Sequence, residues 1–491
     1  CVTTRQERLA SIEALKGGNA IAAYLRCKHC EERGVEHQLV GVTEVTTSES
    51  DHDTRTQHMV CTACARDDHV LLPLPACPFE AGVFEDEAKI EERSHTELAG
   101  ALSWGQFMRL RKRMTGGKSP GKDGFTAEML RSAPREYLRA IFALINDFLT
   151  GGDIPRDFNG ALAILLLKKE PKEDLRNHRP VCLMHVATKM ATTVITDRMV
   201  RNIEDNSLLE EGQEGGRTAR STRRQIQKLI WSIRNAEDSG SRLTVAYIDW
   251  ADAYGSVDHE ALFTILRGYG FSEGDLTLLR GFYTGSWFEV YTHGGTTAQM
   301  TMGRGLRQGD ALSPVLFLLF VNVLLRQLRR EGVGLRTGKH DVWSACFVDD
   351  VAVPSNLDGG VQRGLDLCRT FGEWAGIKLN VAKCEATGLD FATRKPIGTD
   401  KLEINGEMLF PLKPTDPFKY LGCRTTLDLS WRAECAAVLA KTREAVKRIK
   451  FGMLGTKATR MAIDMTVIQL FRYTAGITVV QRRTGDEITK R

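Results

Sequence analysis

Two apolar runs that end in aspartates constrain the fold of this chain more than any other feature. The run 245–248 leads into Asp249, and the pair Asp349–Asp350 lies between β-forming residues. Aspartate is depleted in strands, so the pair is expected at a hairpin tip, where both carboxylates project together. Their repulsion requires compensation, which a hard divalent cation such as Mg²⁺ supplies. The alternative is a turn in which both acids are merely solvated.

Composition excludes several classes of protein. The chain has 491 residues, of which 42% are hydrophobic, 26% charged and 7% aromatic. This supports a sizeable core in more than one domain and excludes wholesale disorder. No apolar run reaches the roughly 18 residues that a membrane span needs, because Ser313, Pro314 and Asn322 interrupt the longest one. We therefore expect a soluble protein without a membrane partner.

Charge and cysteine content restrict the partners and the compartment. The net charge of +5 is too small to indicate a nucleic acid partner by itself. Basic residues do cluster at 109–122 and 217–228, which makes these stretches the best candidates for phosphate contacts. Twelve cysteines in so long a chain indicate a reducing compartment rather than a disulfide scaffold. The chain begins with Cys1 and shows no signal peptide, so we expect a partial open reading frame.

Two CxxC pairs lie near the amino terminus: Cys27 with Cys30, and Cys61 with Cys64. Two thiolate pairs can complete a tetrahedral site, for which structural Zn²⁺ is the usual occupant. Their wide separation requires a long polar loop, and another side chain could replace one ligand: His37, His69 or Cys77. The alternative is two unrelated reduced pairs. We expect a zinc-binding module at 1–78 and an acidic connector at 79–100.

After residue 100 the sequence alternates between helical and short strand patterns with glycine-rich breaks. The predicted elements are strands at 161–167 and 243–248, two short strands within 346–353, and helices at 200–234, 311–328 and from 431 onward.

Eight short motifs follow one another along this part of the chain. They are GKSPGKDGFTAEML at 117–130, LLLKK at 165–169, NHRPVCLMHVATKM at 177–190, YIDWADAYGSVDHE at 247–260, GLRQGDALSPVLF at 305–317, FVDD at 347–350, GIKLNVAKCE at 376–385 and FKYLGC at 418–423. Each motif alone is weak. The ordered set, over roughly residues 97–480, resembles the reverse transcriptases and most closely those of non-LTR retrotransposons.

The resemblance implies an α+β fold of the right-hand polymerase type, with a small antiparallel palm sheet backed by helices. Fingers would span 101–245, palm 246–425 and a helical thumb 426–491. The implied activity is RNA-directed DNA polymerisation, in which a primer 3′-hydroxyl attacks the α-phosphate of a nucleotide and pyrophosphate leaves. The implied partners are an RNA template, a DNA primer or target and deoxynucleoside triphosphates. The implied compartment is the nucleus, and the oligomeric state stays open.

The resemblance also assigns roles around the acidic residues. Asp249, Asp349 and Asp350 would hold two Mg²⁺ ions. Lys383 would donate a proton to departing pyrophosphate, with a solvated surface lysine as the alternative. Tyr254 would be a steric gate that crowds a ribose 2′-hydroxyl, with an ordinary core aromatic as the alternative.

Further roles concern the nucleotide, the template and the primer. Lys168 and Arg179 would contact the triphosphate, one as a point charge and the other through its planar fork. A solvated strand end is the alternative for Lys168. Gln308 and Gly309 would pack against the template base and the nucleotide, where a glycine leaves room for a base or sugar edge. Three residues would form the primer-grip hairpin, or else an ordinary tight turn: Tyr420, Leu421 and Gly422.

The chain departs from the family pattern at several positions. Val348 stands where alanine is usual, Gly255 where aspartate is usual and Gly216 where an aromatic is common, and no proline precedes Lys168. None of these departures removes a predicted metal ligand. They leave open a catalytically inactive or domesticated copy that binds nucleic acid. A group II intron maturase, a telomerase-like relative and an RNA-dependent RNA polymerase are further alternatives, the last disfavoured by Tyr254. We find no convincing nuclease motif.

Overall fold

A computed structural model describes residues 39–46, 54–61, 78–79, 97–474 apart from 293 and 339, and residue 477. The helices in this part are α1 (Trp104–Arg113), α2 (Ala127–Ser132), α3 (Arg135–Leu149), α4 (Val186–Asp205), α5 (Thr222–Asp238), α6 (His259–Gly268), α7 (Glu273–Tyr283), α8 (Leu312–Arg330), α9 (Gly360–Ala375), α10 (Arg432–Phe451), α11 (Thr456–Ala462) and α12 (Ile468–Thr474). Short 3₁₀ turns lie at Arg156–Asn159, Leu175–Asn177 and Val381–Lys383, and a π-helical turn at Ile463–Val467.

The strands of the same residues are β1 (Leu39–Thr46), β2 (Thr54–Cys61), β3 (Gly160–Leu167), β4 (His178–Met184), β5 (Arg242–Ile248), β6 (Trp250–Ala251), β7 (Trp287–Thr292), β8 (Gly295–Thr296), β9 (Met300–Thr301), β10 (Ala345–Phe347), β11 (Asp350–Ser355), β12 (Lys378–Leu379), β13 (Glu385–Asp390), β14 (Lys395–Pro396), β15 (Glu403–Ile404), β16 (Glu407–Met408), β17 (Phe410–Leu412), β18 (Phe418–Tyr420) and β19 (Cys423–Thr425).

The chain divides into two compact units, each built from separated stretches of sequence. Within the described residues the first unit consists mainly of 97–201 and 257–313, and the second of 202–256 and 314–474. The predicted palm at 246–425 therefore contributes to both units. Its boundaries, like those of the predicted fingers and thumb, stay a prediction.

A six-stranded sheet forms the centre of the second unit. Its order is β10-β11-β5-β13-β14, with β17 paired to β13. Every pair is antiparallel except β13 with β17. The expected small antiparallel sheet is therefore present, with one parallel pair added at β13.

Helices cover both faces of this sheet, which explains why β5 is apolar along nearly its whole length. Val245 and Tyr247 of β5 belong to the same buried cluster as Ile230 of α5. On the opposite face, a Cβ atom placed on Gly364 of α9 would lie 2.9 Å from the Cγ1 atom of Val353. The absence of a side chain at position 364 lets α9 approach β11 closely, and the sheet is held rigidly between two helices.

A five-stranded sheet belongs to the first unit, in the order β4-β3-β7-β8 with β9 paired to β7. Strands β3 and β4 form an antiparallel hairpin, and β3 runs parallel to β7. Asp123 connects the loop before α2 to this sheet, because its Oδ2 atom accepts a hydrogen bond from the amide of Val186, the first residue of α4, at 2.7 Å. The glycine-rich loop at 116–124 is thereby fixed beside the end of β4.

Helix α8 is the one described helix that is long and apolar enough to cross a membrane. Within the protein, 89% of its apolar window is buried. Burial of this extent is what a core helix requires, and the asparagine inside the run has an internal partner: the side chain of Asn322 donates to the carbonyl of Leu208 at 2.9 Å.

The predicted continuous helix at 200–234 is wrong. Two helices, α4 and α5, occupy this region and are separated by the segment 206–221. Glycines at 212, 215 and 216 interrupt the helical pattern, and Ser221 caps α5 by accepting a hydrogen bond from the amide of Arg224 at 3.2 Å. The other predicted strands and helices are present, with ends that differ by one or two residues.

Two helical glycines should respond oppositely to alanine. At Gly281 of α7 the added Cβ would make an ordinary contact, 3.5 Å from the Cδ1 atom of Ile154, whereas at Gly372 of α9 it would lie 2.6 Å from the carbonyl oxygen of Ile377. We expect Gly281→Ala to stabilise the protein by about 0.5–1 kcal/mol because a helical glycine loses more entropy on folding. Gly372→Ala should destabilise it by about 1–3 kcal/mol through overpacking. Urea unfolding of both variants tests this pair, and equal shifts of the same sign would contradict it.

Candidate active site

The three predicted carboxylates come together at one end of the second unit's sheet. Val351 of β11 pairs with Ile248 of β5, so Asp350 and Asp249 are the next residues at the same end of adjacent strands. Asp349 lies in the turn between β10 and β11, where Phe347 pairs with Asp350. We call Val348 and Asp349 the carboxylate turn. Strand register alone therefore brings together acids that lie 100 residues apart in sequence.

The electrostatics of this sheet end disfavour full ionisation. The side chains of Asp349 and Asp350 are exposed to solvent. Partial desolvation by the surrounding chain, followed by the negative charges of Asp349 and Asp249, raises the pKa of Asp350 to about 6. The negative charge at this sheet end is therefore only partly compensated by the protein. A bound cation would reduce the remaining repulsion between the carboxylates.

The side-chain oxygens at this sheet end suit a hard cation, although the three carboxylates by themselves do not form a complete set of metal ligands. Among the described residues, no three His, Cys, Asp or Glu side chains lie close enough together to form a ready metal cluster. The donors available at the sheet end are carboxylate oxygens, which Mg²⁺ prefers and which it commonly supplements with substrate phosphates and water. The site therefore suits an ion that arrives with its own oxygen ligands.

Lys383 lies beside the first carboxylate. Leu379 of β12 pairs with Trp250 of β6, and the amide of Asn380 donates to the carbonyl of Asp249 at 2.8 Å. The chain then turns, and the ammonium of Lys383 approaches the Oδ2 atom of Asp249 at 3.2 Å. The lysine predicted as a proton donor is thus in the carboxylate cluster, where its charge partly offsets the acids.

Tyr254 is half-buried and lies shortly after Asp249 in the chain. Its ring stacks on that of Phe317 in α8, with centroids 4.8 Å apart and planes 13° from parallel. This contact holds the ring in one orientation, as both a steric gate and a core aromatic require. Its predicted role in sugar selection stays a prediction.

The predicted primer-grip residues form the turn of the β18–β19 hairpin. Leu421 and Gly422 both have positive φ angles, of 48° and 82°, as a tight two-residue hairpin turn demands. Tyr420 is buried, and its hydroxyl donates to the carbonyl of Ala345 in β10 at 2.9 Å. The tyrosine side chain therefore supports the strand before the carboxylate turn, and of the three predicted residues only Leu421 and Gly422 reach the surface.

Lys168 and Arg179 lie together in the first unit, at the end of the β3–β4 hairpin where the segment 168–177 connects the two strands. Leu166 pairs with Arg179, and the amide of Lys168 donates to the carbonyl of Asn177 at 2.7 Å. Lys168 directly follows the last residue of β3, and Arg179 is the second residue of β4, so the two residues lie close together along the hairpin. Both are exposed. The structure thus groups the two predicted triphosphate ligands.

Gln308 and Gly309 lie in the loop before α8, next to β4. The amide of Cys182 donates to the carbonyl of Gln308 at 2.7 Å. Gly309 has a φ of 110°, and a Cβ there would lie 2.8 Å from the carbonyl oxygen of Cys182. A glycine is therefore required by packing inside the protein, which is a different reason from the predicted room for a base or sugar edge.

Arg307 is a buried residue of this loop that the sequence analysis does not single out. Its guanidinium donates to the carbonyl of Phe282 at 2.8 Å and lies 3.7 Å from Asp310. Asp310 in turn accepts a hydrogen bond from the amide of Leu312, the first residue of α8, at 3.2 Å. The arginine therefore fixes the loop that carries Gln308. An acid three residues after an arginine within one motif was the signal available in the sequence.

The basic cluster predicted at 217–228 is partly engaged in internal ion pairs. Glu214, which is 1% exposed, lies 3.0 Å from Arg220 and 3.1 Å from Arg224, and it also pairs with Lys228. These three cations surround one buried carboxylate, so part of their positive charge is used inside the protein. The cluster at 109–122 is also partly engaged, because Lys122 pairs with Glu289 at 2.6 Å.

The predicted zinc site lies almost entirely outside the described residues. Cys27, Cys30 and Cys64 are not among them, and Cys61 is the last residue of β2. The zinc-binding module at 1–78 and most of the acidic connector at 79–100 therefore stay predictions.

Comparison with known proteins places the chain in a family. The profile of the family described as "Reverse transcriptase (RNA-dependent DNA polymerase)" matches residues 168–425, which include the three carboxylates, Lys383 and the predicted primer grip. The chain belongs to the reverse transcriptase family.

Individual relatives agree with this assignment. The chain is 26% identical over 316 residues to the Pol polyprotein from the type-2 retrotransposable element R2DM of Drosophila melanogaster, covering 63% of this chain and 29% of that protein. It is 25% identical over 345 residues to the RNA-directed DNA polymerase from the mobile element jockey of Drosophila funebris, covering 68% and 36%. The identification as a non-LTR retrotransposon reverse transcriptase is confirmed, and the chain spans about a third of these relatives' length.

Among solved structures, the chain is similar to apo telomerase from Candida tropicalis truncated from its C-terminal domain. The sequence identity is 11% and the TM-score 0.39, with 56% of this chain and 54% of that chain covered.

The raised pKa of Asp350 predicts how stability depends on pH. Between about pH 4, the ordinary value for aspartate, and about pH 6, the unfolded chain releases a proton that the folded protein retains. The free energy of unfolding should therefore fall as the pH rises through this window. Asp350→Asn removes this loss, so the variant should melt a few degrees higher than the wild type above pH 6.

Thermal unfolding in a chelating buffer at pH 4, 5, 6 and 7.5 measures this difference. Added Mg²⁺ provides the control, because it should raise the melting temperature of the wild type more than that of the variant. Parallel curves for the two proteins across the whole range would contradict the assignment.

Proposed function

We propose that this chain is the polymerase part of a non-LTR retrotransposon protein and that it extends a DNA primer on an RNA template. One observation carries the proposal: the strand register that places Asp249, Asp349 and Asp350 at one sheet end. Membership of the reverse transcriptase family supports it. Because the chain spans only part of its relatives, activities located elsewhere in those proteins are not assigned to it.

The residues of the second unit would carry the chemistry. When bound, two Mg²⁺ ions would activate the primer hydroxyl and neutralise charge on the phosphates, held by Asp249, Asp349 and Asp350. Lys383, 3.2 Å from Asp249, would offer its proton to the departing pyrophosphate. The ring of Tyr254, held against Phe317, would leave no room for a ribose 2′-hydroxyl. Positioning and charge stabilisation would account for most of the rate enhancement.

The residues of the first unit would bind the nucleotide and the template. Lys168 and Arg179, both exposed near the connected end of the β3–β4 hairpin, would bind the triphosphate as a charge-assisted pair. Gln308 and Gly309 would face the template base and the nucleotide. In the right-hand description, fingers at 101–245, a palm at 246–425 and a helical thumb at 426–491 would together hold the duplex.

Three further assignments are part of the same proposal. The spacing of Cys27, Cys30, Cys61 and Cys64 supports a structural Zn²⁺ in the amino-terminal module. The likeness to retrotransposon proteins supports a genomic DNA target, and with it a nuclear location.

Template-dependent extension is the central test of the proposed function. With an RNA template, a DNA primer, deoxynucleotides and Mg²⁺, the wild type should extend the primer. Asp349→Asn should reduce the rate on the order of a thousandfold, equivalent to about 4 kcal/mol of activation free energy. The matched control is Asp366→Asn on α9, an exposed aspartate outside the carboxylate cluster, which should retain the wild-type rate. A wild type that binds the primer–template but never extends it would instead identify an inactive copy.

Sugar selection is a separate prediction for Tyr254. Tyr254→Ala should lower the preference for deoxynucleotides over ribonucleotides about tenfold or more, because one removed steric contact is worth roughly 1–3 kcal/mol. Tyr254→Phe retains the ring that stacks on Phe317 and should retain the preference. Single-nucleotide incorporation with both substrates measures the ratio. If alanine and phenylalanine give the same ratio as tyrosine, the ring is a core aromatic and not a gate.

A further inference from the structure

Gln213 is a fully buried glutamine that neither the motifs nor the mechanism above uses. Its Oε1 atom accepts two backbone hydrogen bonds, one from the amide of Val348 and one from the amide of Gly215, both at 2.9 Å. Its Nε2 atom donates to the Sγ atom of Cys346 at 3.1 Å. The side-chain amide of one residue thus contacts both the strand before the carboxylate turn and the turn itself.

Val348 adopts a conformation that its side chain opposes. Its φ angle is 61°, in the left-handed region that a β-branched residue rarely enters. Glycine, asparagine or aspartate is usual where a tight hairpin turn requires a positive φ. Such a conformation persists only where the surrounding structure imposes it. The hydrogen bond that the Val348 amide donates to Oε1 of Gln213 is a contact that can impose it.

The backbone around Gln213 is itself paired with the strand that carries the turn. The amide of Cys346 donates to the carbonyl of Gly212, and the amide of Glu214 donates to the carbonyl of Cys346, both at 2.9 Å. A Cβ on Gly215 would lie 2.5 Å from the Cγ2 atom of Val348. The segment 212–215 therefore lies directly against the carboxylate turn, where a side chain at 215 would displace it.

The segment is also anchored on its other side. Glu214, the neighbour of Gln213, is held by Arg220 and Arg224 at 3.0 and 3.1 Å. Both arginines are at or next to the start of α5, which packs on the sheet. Gln213 is thus part of a rigid support and not of a loop that could follow the turn if it moved.

We propose that Gln213 is a positioning residue for the reaction. Its amide holds Val348 in the left-handed conformation and thereby sets the direction in which Asp349 and Asp350 project. The inference rests on the proposed function for the role of those carboxylates, but the clamp on the turn can be measured without any activity.

Gln213→Met removes the amide while keeping the length of the side chain, so two buried N–H groups lose their acceptor. We expect kcat for primer extension to fall about ten- to a hundredfold, as the loss of one or two buried hydrogen bonds predicts, with the KM for nucleotide and the Kd for primer–template within about twofold. Hydrogen–deuterium exchange of the Val348 amide should become at least about tenfold faster.

Val348→Gly provides the second arm, because glycine adopts a positive φ without strain. The double variant combines Gln213→Met with Val348→Gly. Relative to Val348→Gly alone, its kcat should fall less than about threefold, because a glycine in the turn does not need the hydrogen bond to Gln213 to hold a positive φ. The matched control is Gln327→Met in α8, a buried glutamine whose amide donates to Glu331 at 3.1 Å. It should change neither kcat nor the exchange of Val348.

The outcomes separate the two levels of the argument. Unchanged exchange of the Val348 amide in Gln213→Met overturns the inference. So does a Gln213→Met substitution that lowers kcat as much in the Val348→Gly background as in the wild type. A uniform loss in which kcat, KM and primer–template binding all worsen indicates general unfolding and also overturns it. A wild type that extends no primer refutes the proposed function instead, and the exchange measurement still decides whether the clamp exists.

Discussion

Negative charge concentrated at one end of a small sheet is the constraint from which the other features of the second unit follow. Strands β5 and β11 must pair in the observed register for Asp249 and Asp350 to meet, and the hairpin must turn sharply to present Asp349 beside them. Partial desolvation, followed by the resulting repulsion, raises the pKa of Asp350. Unfavourable electrostatics of this kind are tolerated only where the scaffold around them is stiff, because a mobile hairpin would separate the charges.

Several contacts stiffen this region, and all of them involve the sheet that contains strand β10 or the turn that follows it. Two helices enclose the sheet, and the hydroxyl of Tyr420 donates to the carbonyl of Ala345. On the other side of β10, Gln213 engages Cys346 and Val348. A hairpin predicted to hold a primer and a segment without an obvious role thus both support the same three-residue strand. Residues that look like ligands in the sequence can act by holding other ligands in place.

Local patterns predicted three of the six strands of the second unit's sheet, β5, β10 and β11, and its acidic end. The apolar runs around Asp249 and Asp349 were sufficient, because strand formation and turn position depend mainly on neighbouring residues. The helix break at 206–221 was also predictable in principle from its glycines. The contacts of Gln213, Arg307 and Glu214 were not, since each polar side chain finds partners that only the tertiary fold brings near. Burial of a polar residue leaves no periodic signature in a sequence.

The same limit applies to charge. In sequence, the arginines and lysine at 217–228 look like a surface for polyanions, yet three of them converge on the buried carboxylate of Glu214. Neutralising any one of them removes part of the positive charge that compensates this poorly solvated carboxylate. The loss lowers the free energy of unfolding of the protein. An alanine scan of this stretch would therefore report weaker nucleic acid retention even if no phosphate ever touched it. When basic residues of this protein are replaced by alanine, the stability of each variant has to be measured together with its affinity for nucleic acid.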